Sequence, residues 1–146
     1  MNEVNQIRQF IYPDDYPAVL ALWETAGPGL HIGSSDSPQE ILKKLQRDPD
    51  LFLVAEIDGL IVGTVIGGFD GRRGLIYHLG VLSGYRRSGI GRALMAEVEA
   101  RLQEKGCLKC YLMVIEDNDA AQFYEACGWE IQDVQLFAKE FISTVS

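Results

Sequence analysis

The apolar positions of the chain recur with two different periods. Residues 51–57, 60–69 and 75–82 are apolar runs of strand length, separated by the turn pair Asp58-Gly59 and by a turn over residues 70–74. This layout predicts three consecutive antiparallel strands. In residues 88–105 the apolar side chains instead recur every four residues, at Ile90, Leu94, Val98 and Leu102. That spacing predicts an amphipathic helix, which Gly106 ends.

The two flanks of this central region carry weaker patterns. Residues 4–11 read as a first strand, and Asp14 or Asp15 can cap a helix that presents Val19, Leu22 and Trp23 to a core. A turn-rich loop over residues 27–38 leads into a second helix through Ile41, Leu42 and Leu45. Beyond the long helix we expect a strand at 108–115, a helix at 120–126 and one or two strands at 129–141. The sum is one α/β (α+β) domain, residues 1–146, with a mixed, mainly antiparallel sheet flanked by helices.

The glycines of the second central strand are unusual for a strand interior. Gly63, Gly67 and Gly68 offer no side chain for packing. Such positions mark a bulge or the close approach of a neighbouring element. We therefore expect one of these two features at this strand.

Composition narrows the class of protein. The 146 residues are 47% hydrophobic and 23% charged, which is typical of a single globular domain. No apolar run approaches the roughly 20 residues of a membrane span, and the first residues lack the layout of a signal peptide, so we expect a soluble, cytoplasmic protein. The formal net charge of -8 argues against a nucleic-acid partner. Any anion site must be built locally.

The cysteines offer a second kind of chemistry. Cys107 and Cys110 form a C-x-x-C pair, and Cys127 is the third cysteine. There is no second pair, and His31 and His78 are the two histidines. Reduced thiols packed as small hydrophobic groups are favoured over a structural metal site, which stays an alternative.

The strongest local signal is the segment YRRSGIGRAL, residues 85–94, at the start of the long predicted helix. Glycines and free helix N–H groups favour an anion there, and nearby arginines add positive charge. Gly91 is followed by Arg92 and Ala93, which excludes a Walker motif, and Leu94 occupies the third glycine position of a dinucleotide fingerprint. A solvated loop without a ligand remains the alternative.

Three motifs in order resemble the GNAT superfamily of acetyltransferases, most closely small uncharacterised bacterial members. They are RRSGIG within the loop, the preceding strand LGVL, and DNDAAQFYEACGWE near the C-terminus, and the pattern spans residues 51–129. The resemblance implies that the loop binds the pyrophosphate of acetyl-coenzyme A, the co-substrate. It also implies backbone contacts to the coenzyme at Leu79 and Val81. The implied side-chain and loop contacts are Arg86, Arg87, Ser88, Gly89, Gly91, Arg92 and Asn118.

The same resemblance supplies candidates for the chemistry. Tyr124 matches the tyrosine that protonates the departing thiolate in this superfamily. Candidate bases are His78, whose imidazole titrates near neutral pH, and Glu116 on the following strand. Strand alternation directs His78 away from the face of Tyr77 and Val81 unless a bulge intervenes.

The predicted function is transfer of an acetyl group to a primary amine by direct attack within a ternary complex. The acceptor is a small-molecule amine or a protein or peptide amine, and we expect it near the loop at residues 27–37. No nucleic-acid or membrane partner is predicted, and a homodimer is possible. The alternative is a sensor that binds acetyl-coenzyme A without turnover.

Overall fold

A computed structural model describes residues 6–26, 30–114 and 118–141 of the chain. It contains one five-stranded sheet, whose spatial order follows the chain. The strands are β1 (Gln6–Gln9), β2 (Phe52–Ile57), β3 (Leu60–Phe69), β4 (Gly74–Val81) and β5 (Cys110–Leu112). Strands β1 to β4 pair antiparallel, and β5 joins β4 in parallel. The predicted mixed, mainly antiparallel sheet is confirmed.

Helices cover both faces of this sheet. They are α1 (Tyr16–Thr25), α2 (Pro38–Arg47), α3 (Ile90–Glu104) and α4 (Asn118–Ala126). Single 3₁₀ turns at Ser34–Asp36, Pro49–Leu51 and Ser83–Tyr85 connect the elements. The helix α3 ends as predicted, because Gly106 takes a left-handed φ of +94° just beyond it.

The two faces of the sheet bury two separate cores. In β2, Leu53 and Ala55 pack toward α3, whereas Phe52 and Val54 pack toward α1 and α2. Side chains alternate along a strand, so a sheet covered on both faces needs apolar residues at every position. This explains why the central strands are continuous apolar runs.

The glycines of β3 mark the close approach of a helix. A Cβ at Gly63 would lie 2.9 Å from side-chain atoms of Ile90 and Leu94, and a Cβ at Gly67 would lie 2.8 Å from Val98. All three side chains belong to α3. The expected close neighbour of this strand is therefore α3, and a residue larger than glycine would force it away from the sheet.

The predicted C-terminal strands are wrong. Residues 129–141 form no strand, although Trp129 is anchored by a bond from its Nε1 to Glu99 Oε2 at 3.1 Å. Past this anchor, apolar side chains such as Ile131 and Phe137 are each 87% exposed. Strand propensity reflects packing against neighbours, and in the described part of the chain these residues have no such neighbour. None of the described helices has the length and apolar character needed to span a membrane.

Candidate functional site

A bulge in β4 sets the direction of the predicted base. Tyr77 pairs with Ile66 and Gly80 pairs with Thr64, so His78 and Leu79 together oppose a single residue of β3. His78 absorbs the extra length with a left-handed φ of +55°. Its ring consequently lies on the α1 side of the sheet, 5.6 Å from the ring of Tyr77. The bulge thus places His78 on the same face as Tyr77 but leaves it opposite Val81, so Tyr77 and Val81, which simple alternation assigns to one face, lie on different faces.

The side chain of His78 is held by a carboxylate and an indole. Its Nε2 lies 2.9 Å from Oδ1 of Asp36, which is 5% exposed. The ring of Trp23, from α1, meets it edge-on at a centroid distance of 4.9 Å. Sequence reasoning missed Asp36, since nothing in a turn of serines signals that its carboxylate will face a strand more than forty residues away.

Strand β4 separates from β5 after three residue pairs. The parallel pairing covers Gly74, Leu75 and Ile76 and then stops. Among the described residues, no strand borders the rest of β4 on that side. The Leu82 N–H donates to the Val62 carbonyl of β3 at 2.9 Å. Because the hydrogen-bonding groups of successive residues in a strand point to alternate sides, the backbone groups of Val81 and Leu79 point toward the open side. The Leu79 backbone groups and the Val81 N–H therefore face the open side, whereas the Val81 carbonyl accepts a hydrogen bond from Arg86 Nε.

The loop that follows β4 leads into the start of α3. Arg87 and Gly89 have left-handed φ angles of +64° and +87°. Gly89 is the N-cap residue, with no side-chain cap, and a Cβ there would meet nothing within 4 Å. The first turn of α3 contains no acidic residue. Its unpaired N–H groups and positive dipole end therefore suit an anion.

The three arginines of the loop differ in what they contact. Arg86 donates to the backbone carbonyls of Val81 at 3.2 Å and Ala26 at 3.0 Å, joining the end of α1 to the end of β4. Arg87 and Arg92 are exposed, and neither side chain forms a hydrogen bond or ion pair within the described residues. These two guanidinium groups supply the free positive charge beside the helix start. Ser88, the other polar residue of the loop, donates its hydroxyl to the Tyr85 carbonyl.

Gly91 lacks a side chain at a point where α4 packs closely against α3. A Cβ at this position would lie 3.2 Å from Cζ of Phe123 and 3.8 Å from Cγ2 of Val81. Sequence reasoning assigned both loop glycines to the approach of a phosphate. The structure gives them different surroundings, because open space adjoins Gly89 whereas an aromatic ring adjoins Gly91.

Tyr124 lies on α4 and packs against the core on the α3 side of the sheet, the cluster that also receives Leu79 and Val81. Its ring is 5.1 Å from that of Phe123. Burial, with a smaller contribution from Cys127, raises the pKa of Tyr124 to about 12. The phenol therefore keeps its proton throughout the neutral range. His78 and Tyr124 approach β4 from opposite faces of the sheet.

The structure describes only the backbone of Asn118 and no part of Glu116. Asn118 is the first residue of α4, and its side chain is not among those described. Glu116 lies outside the described residues, and so do residues 27–29 of the predicted acceptor loop. His31 is on the described part of that loop and is exposed.

Cys107 and Cys110 lie at the junction of α3 and β5, and Cys127 directly follows α4. Cys107 is buried, and all three thiols are free. Burial raises the pKa of Cys110 to about 12, which opposes the thiolate that a metal needs. No cluster of three or more His, Cys, Asp or Glu residues within ranges 6–26, 30–114 and 118–141 could hold a metal ion.

Comparison with known proteins identifies the family. A model of the acetyltransferase (GNAT) family matches residues 9–129. An acetyltransferase of Pectobacterium atrosepticum is 46% identical over 130 residues, which is 88% of this chain and 91% of the relative. The structure of Ard1 from Thermoplasma volcanium is 26% identical with a TM-score of 0.75, over 87% of this chain and 83% of that one. PaiA N-acetyltransferase from Thermoplasma acidophilum, solved in complex with coenzyme A, is 20% identical with a TM-score of 0.75, over 89% and 92%. This chain belongs to the acetyltransferase (GNAT) family.

Proposed function

We propose that this acetyltransferase moves an acetyl group from acetyl-coenzyme A to a primary amine by direct transfer in a ternary complex. One observation carries the proposal. The open edge of β4 is followed, after one short loop, by a helix start that suits an anion, so the two features adjoin along the chain. A coenzyme with a phosphorylated end and an amide-containing arm matches both parts. The solved PaiA complex with coenzyme A supports the same co-substrate.

The loop would bind the anionic end of the coenzyme. The N–H groups at the start of α3 can donate to phosphate oxygens, and Arg87 and Arg92 are free to add charge-assisted hydrogen bonds. Arg86 supports the site indirectly, since its guanidinium fixes the end of β4 against α1. Backbone groups of Leu79 and the N–H of Val81 would pair with the amides of the arm.

The transfer itself needs three proton movements. His78 takes a proton from the acceptor ammonium, and the freed amine attacks the thioester carbonyl. The new N–C bond forms, the C–S bond breaks as Tyr124 gives its proton to the departing thiolate, and the second proton lost by the nitrogen passes through solvent to restore the phenol. A backbone N–H at the open edge of β4 would stabilise the developing oxyanion, an effect of about 3 kcal/mol per donor.

The positions of the two residues support these roles. His78 faces α1 and the turn Ser34–Asp36, on the side where an acceptor would enter. Tyr124 comes from the α3 side and packs against the same core cluster as Leu79 and Val81 of the strand assigned to the coenzyme. Donor and acceptor would therefore reach β4 from opposite faces. A cationic small-molecule or peptide amine fits the net charge of -8.

The proposal is tested by acceptor-dependent release of thiol from acetyl-coenzyme A across peptides, polyamines and aminoglycosides. We expect release with at least one amine class and an N-acetylated product by mass spectrometry. His78→Gln should lower kcat/KM for the acceptor by about 100-fold, the usual size of general-base catalysis. In the same variant, binding of coenzyme A should stay within about twofold of wild type, because His78 lies on the opposite face of the sheet from the side chains of Leu79 and Val81. Coenzyme binding without release for any amine would instead identify a sensor.

A further inference from the structure

We infer that Asp36 is a positioning residue for His78, holding the imidazole in the tautomer and orientation that deprotonate the acceptor. The inference rests on the proposed function, because it concerns the base of that reaction. Asp36 is in the 3₁₀ turn before α2, far in sequence from every motif of the coenzyme loop.

Two hydrogen bonds hold Asp36 in place, one to its carboxylate and one to its backbone carbonyl. Its Oδ2 accepts from the Gly33 N–H at 2.9 Å, and its backbone carbonyl accepts from the Tyr16 hydroxyl at 2.8 Å. The first bond closes the turn on itself, and the second ties the turn to α1. With Oδ2 occupied by the backbone, Oδ1 is left to face His78. A carboxylate that is 5% exposed and held in this way has little freedom to turn away.

The imidazole is equally restricted. The bulge sets the direction of its Cα–Cβ bond, and the edge-on contact with Trp23 limits rotation of the ring. Because a carboxylate only accepts hydrogen bonds, neutral His78 must carry its proton on Nε2. The lone pair then lies on Nδ1, which makes this nitrogen the base. A carboxylate at the far ring nitrogen also stabilises the imidazolium formed after proton transfer.

Two further titratable groups face this pair. They are Tyr77 from β4, whose ring is 5.6 Å from that of His78, and Tyr16 from α1, whose hydroxyl donates to the Asp36 carbonyl. Asp48, just beyond α2, pairs with Lys44. Burial, followed by the negative charges of Asp36 and Asp48, raises the pKa of Tyr77, and burial and Asp36 raise the pKa of Tyr16. Both phenols therefore stay neutral near pH 7. Among these groups, Asp36 is the charge in direct contact with the imidazole.

The test is Asp36→Asn, which keeps the shape and removes the charge. We expect kcat/KM for the acceptor to fall about 10- to 100-fold, with KM for acetyl-coenzyme A within about twofold of wild type. The acidic limb of the kcat/KM–pH profile should move to lower pH, since the imidazolium loses its counter-charge. Asp15→Asn is the matched control, because Asp15 is also a buried carboxylate, 7% exposed, whose partners are Arg8 and the Ile11 N–H.

Asp36→Asn with wild-type kcat/KM and an unmoved profile would overturn the inference. Equal losses in the two Asn variants would do so as well, because they would reduce Asp36 to a structural role. Should Asp36→Asn fail to fold, nitrogen-15 NMR of the wild-type protein decides, with His31→Gln assigning the two histidines. The inference requires His78 protonated on Nε2 in its neutral form, and protonation on Nδ1 refutes it. This spectrum is informative even if no amine is acetylated, so the proposed function can fail separately.

Discussion

Replacing Gly91 with alanine should show that the start of α3 and the helix α4 are energetically coupled through the contact between residue 91 and Phe123. The added methyl group would sit 3.2 Å from the ring of Phe123, closer than a comfortable carbon–carbon contact. Gly91 is within α3 and is not among the residues with a left-handed φ, so alanine fits its backbone. The substitution therefore isolates the contact between two helices.

Two opposing effects set the size of the change. Alanine in place of glycine stabilises a helix interior by up to about 1 kcal/mol. Overpacking typically costs about 1–3 kcal/mol. We expect Gly91→Ala to destabilise the wild-type protein by about 0–2 kcal/mol. In a Phe123→Leu background the contact is relieved, and the same change should stabilise by about 0.5–1 kcal/mol.

A double-mutant cycle measured by urea unfolding without coenzyme tests this. The four proteins are wild type, the two single variants and the double variant, and the coupling free energy should equal the relieved overpacking cost of about 1–3 kcal/mol. A Gly91→Ala effect that is the same in both backgrounds, within about 0.5 kcal/mol, would refute the reasoning. Gly91 would then owe its identity to the approach of the ligand rather than to α4.

Two further predictions concern ionisable side chains. Tyr124→Phe should lower kcat about 10- to 100-fold while KM for acetyl-coenzyme A changes less than about twofold, and unchanged turnover in steady-state assays would remove the proposed role of the phenol. Burial opposes ionisation of Asp15, but hydrogen bonds from Arg8 and the Ile11 N–H outweigh it, so the pKa of Asp15 is lowered from its model-compound value of 3.8. The resulting stability is present above the unfolded-state pKa and is lost as pH falls through the folded-state pKa. Urea unfolding from about pH 5 to about pH 2 should show a smaller loss for Asp15→Asn than for wild type, and parallel curves would contradict this.

The central strands and the long helix could be predicted because local patterns dictate them. The turn Asp58-Gly59, the four-residue spacing from Ile90 to Leu102 and the stop at Gly106 each act within a few residues. The glycines of β3 even signalled the close approach of another element. Local pattern and final structure agree where a segment's environment is implied by its own sequence.

The rest depends on partners that are distant in the chain. The bulge at His78 exists only relative to the register of β3, and Arg86 reaches the Ala26 carbonyl sixty positions away. The contact of Gly91 with Phe123 likewise needs the docking of α4. Residues 129–141 show the converse error, since strands were predicted there and no strand in the described part of the chain pairs with them.

The most direct test of a coenzyme site at the start of α3 is the affinity of the protein for coenzyme A, measured by isothermal titration calorimetry. Removing both free charges with Arg87→Gln and Arg92→Gln should weaken binding about 10- to 100-fold. Arg72→Gln is the matched control, because this exposed arginine is on the turn between β3 and β4. The Arg72→Gln control should bind coenzyme A with an affinity within about twofold of wild type. Equal affinity of the double variant and wild type, or equal weakening by the control, would contradict a coenzyme site at the start of α3.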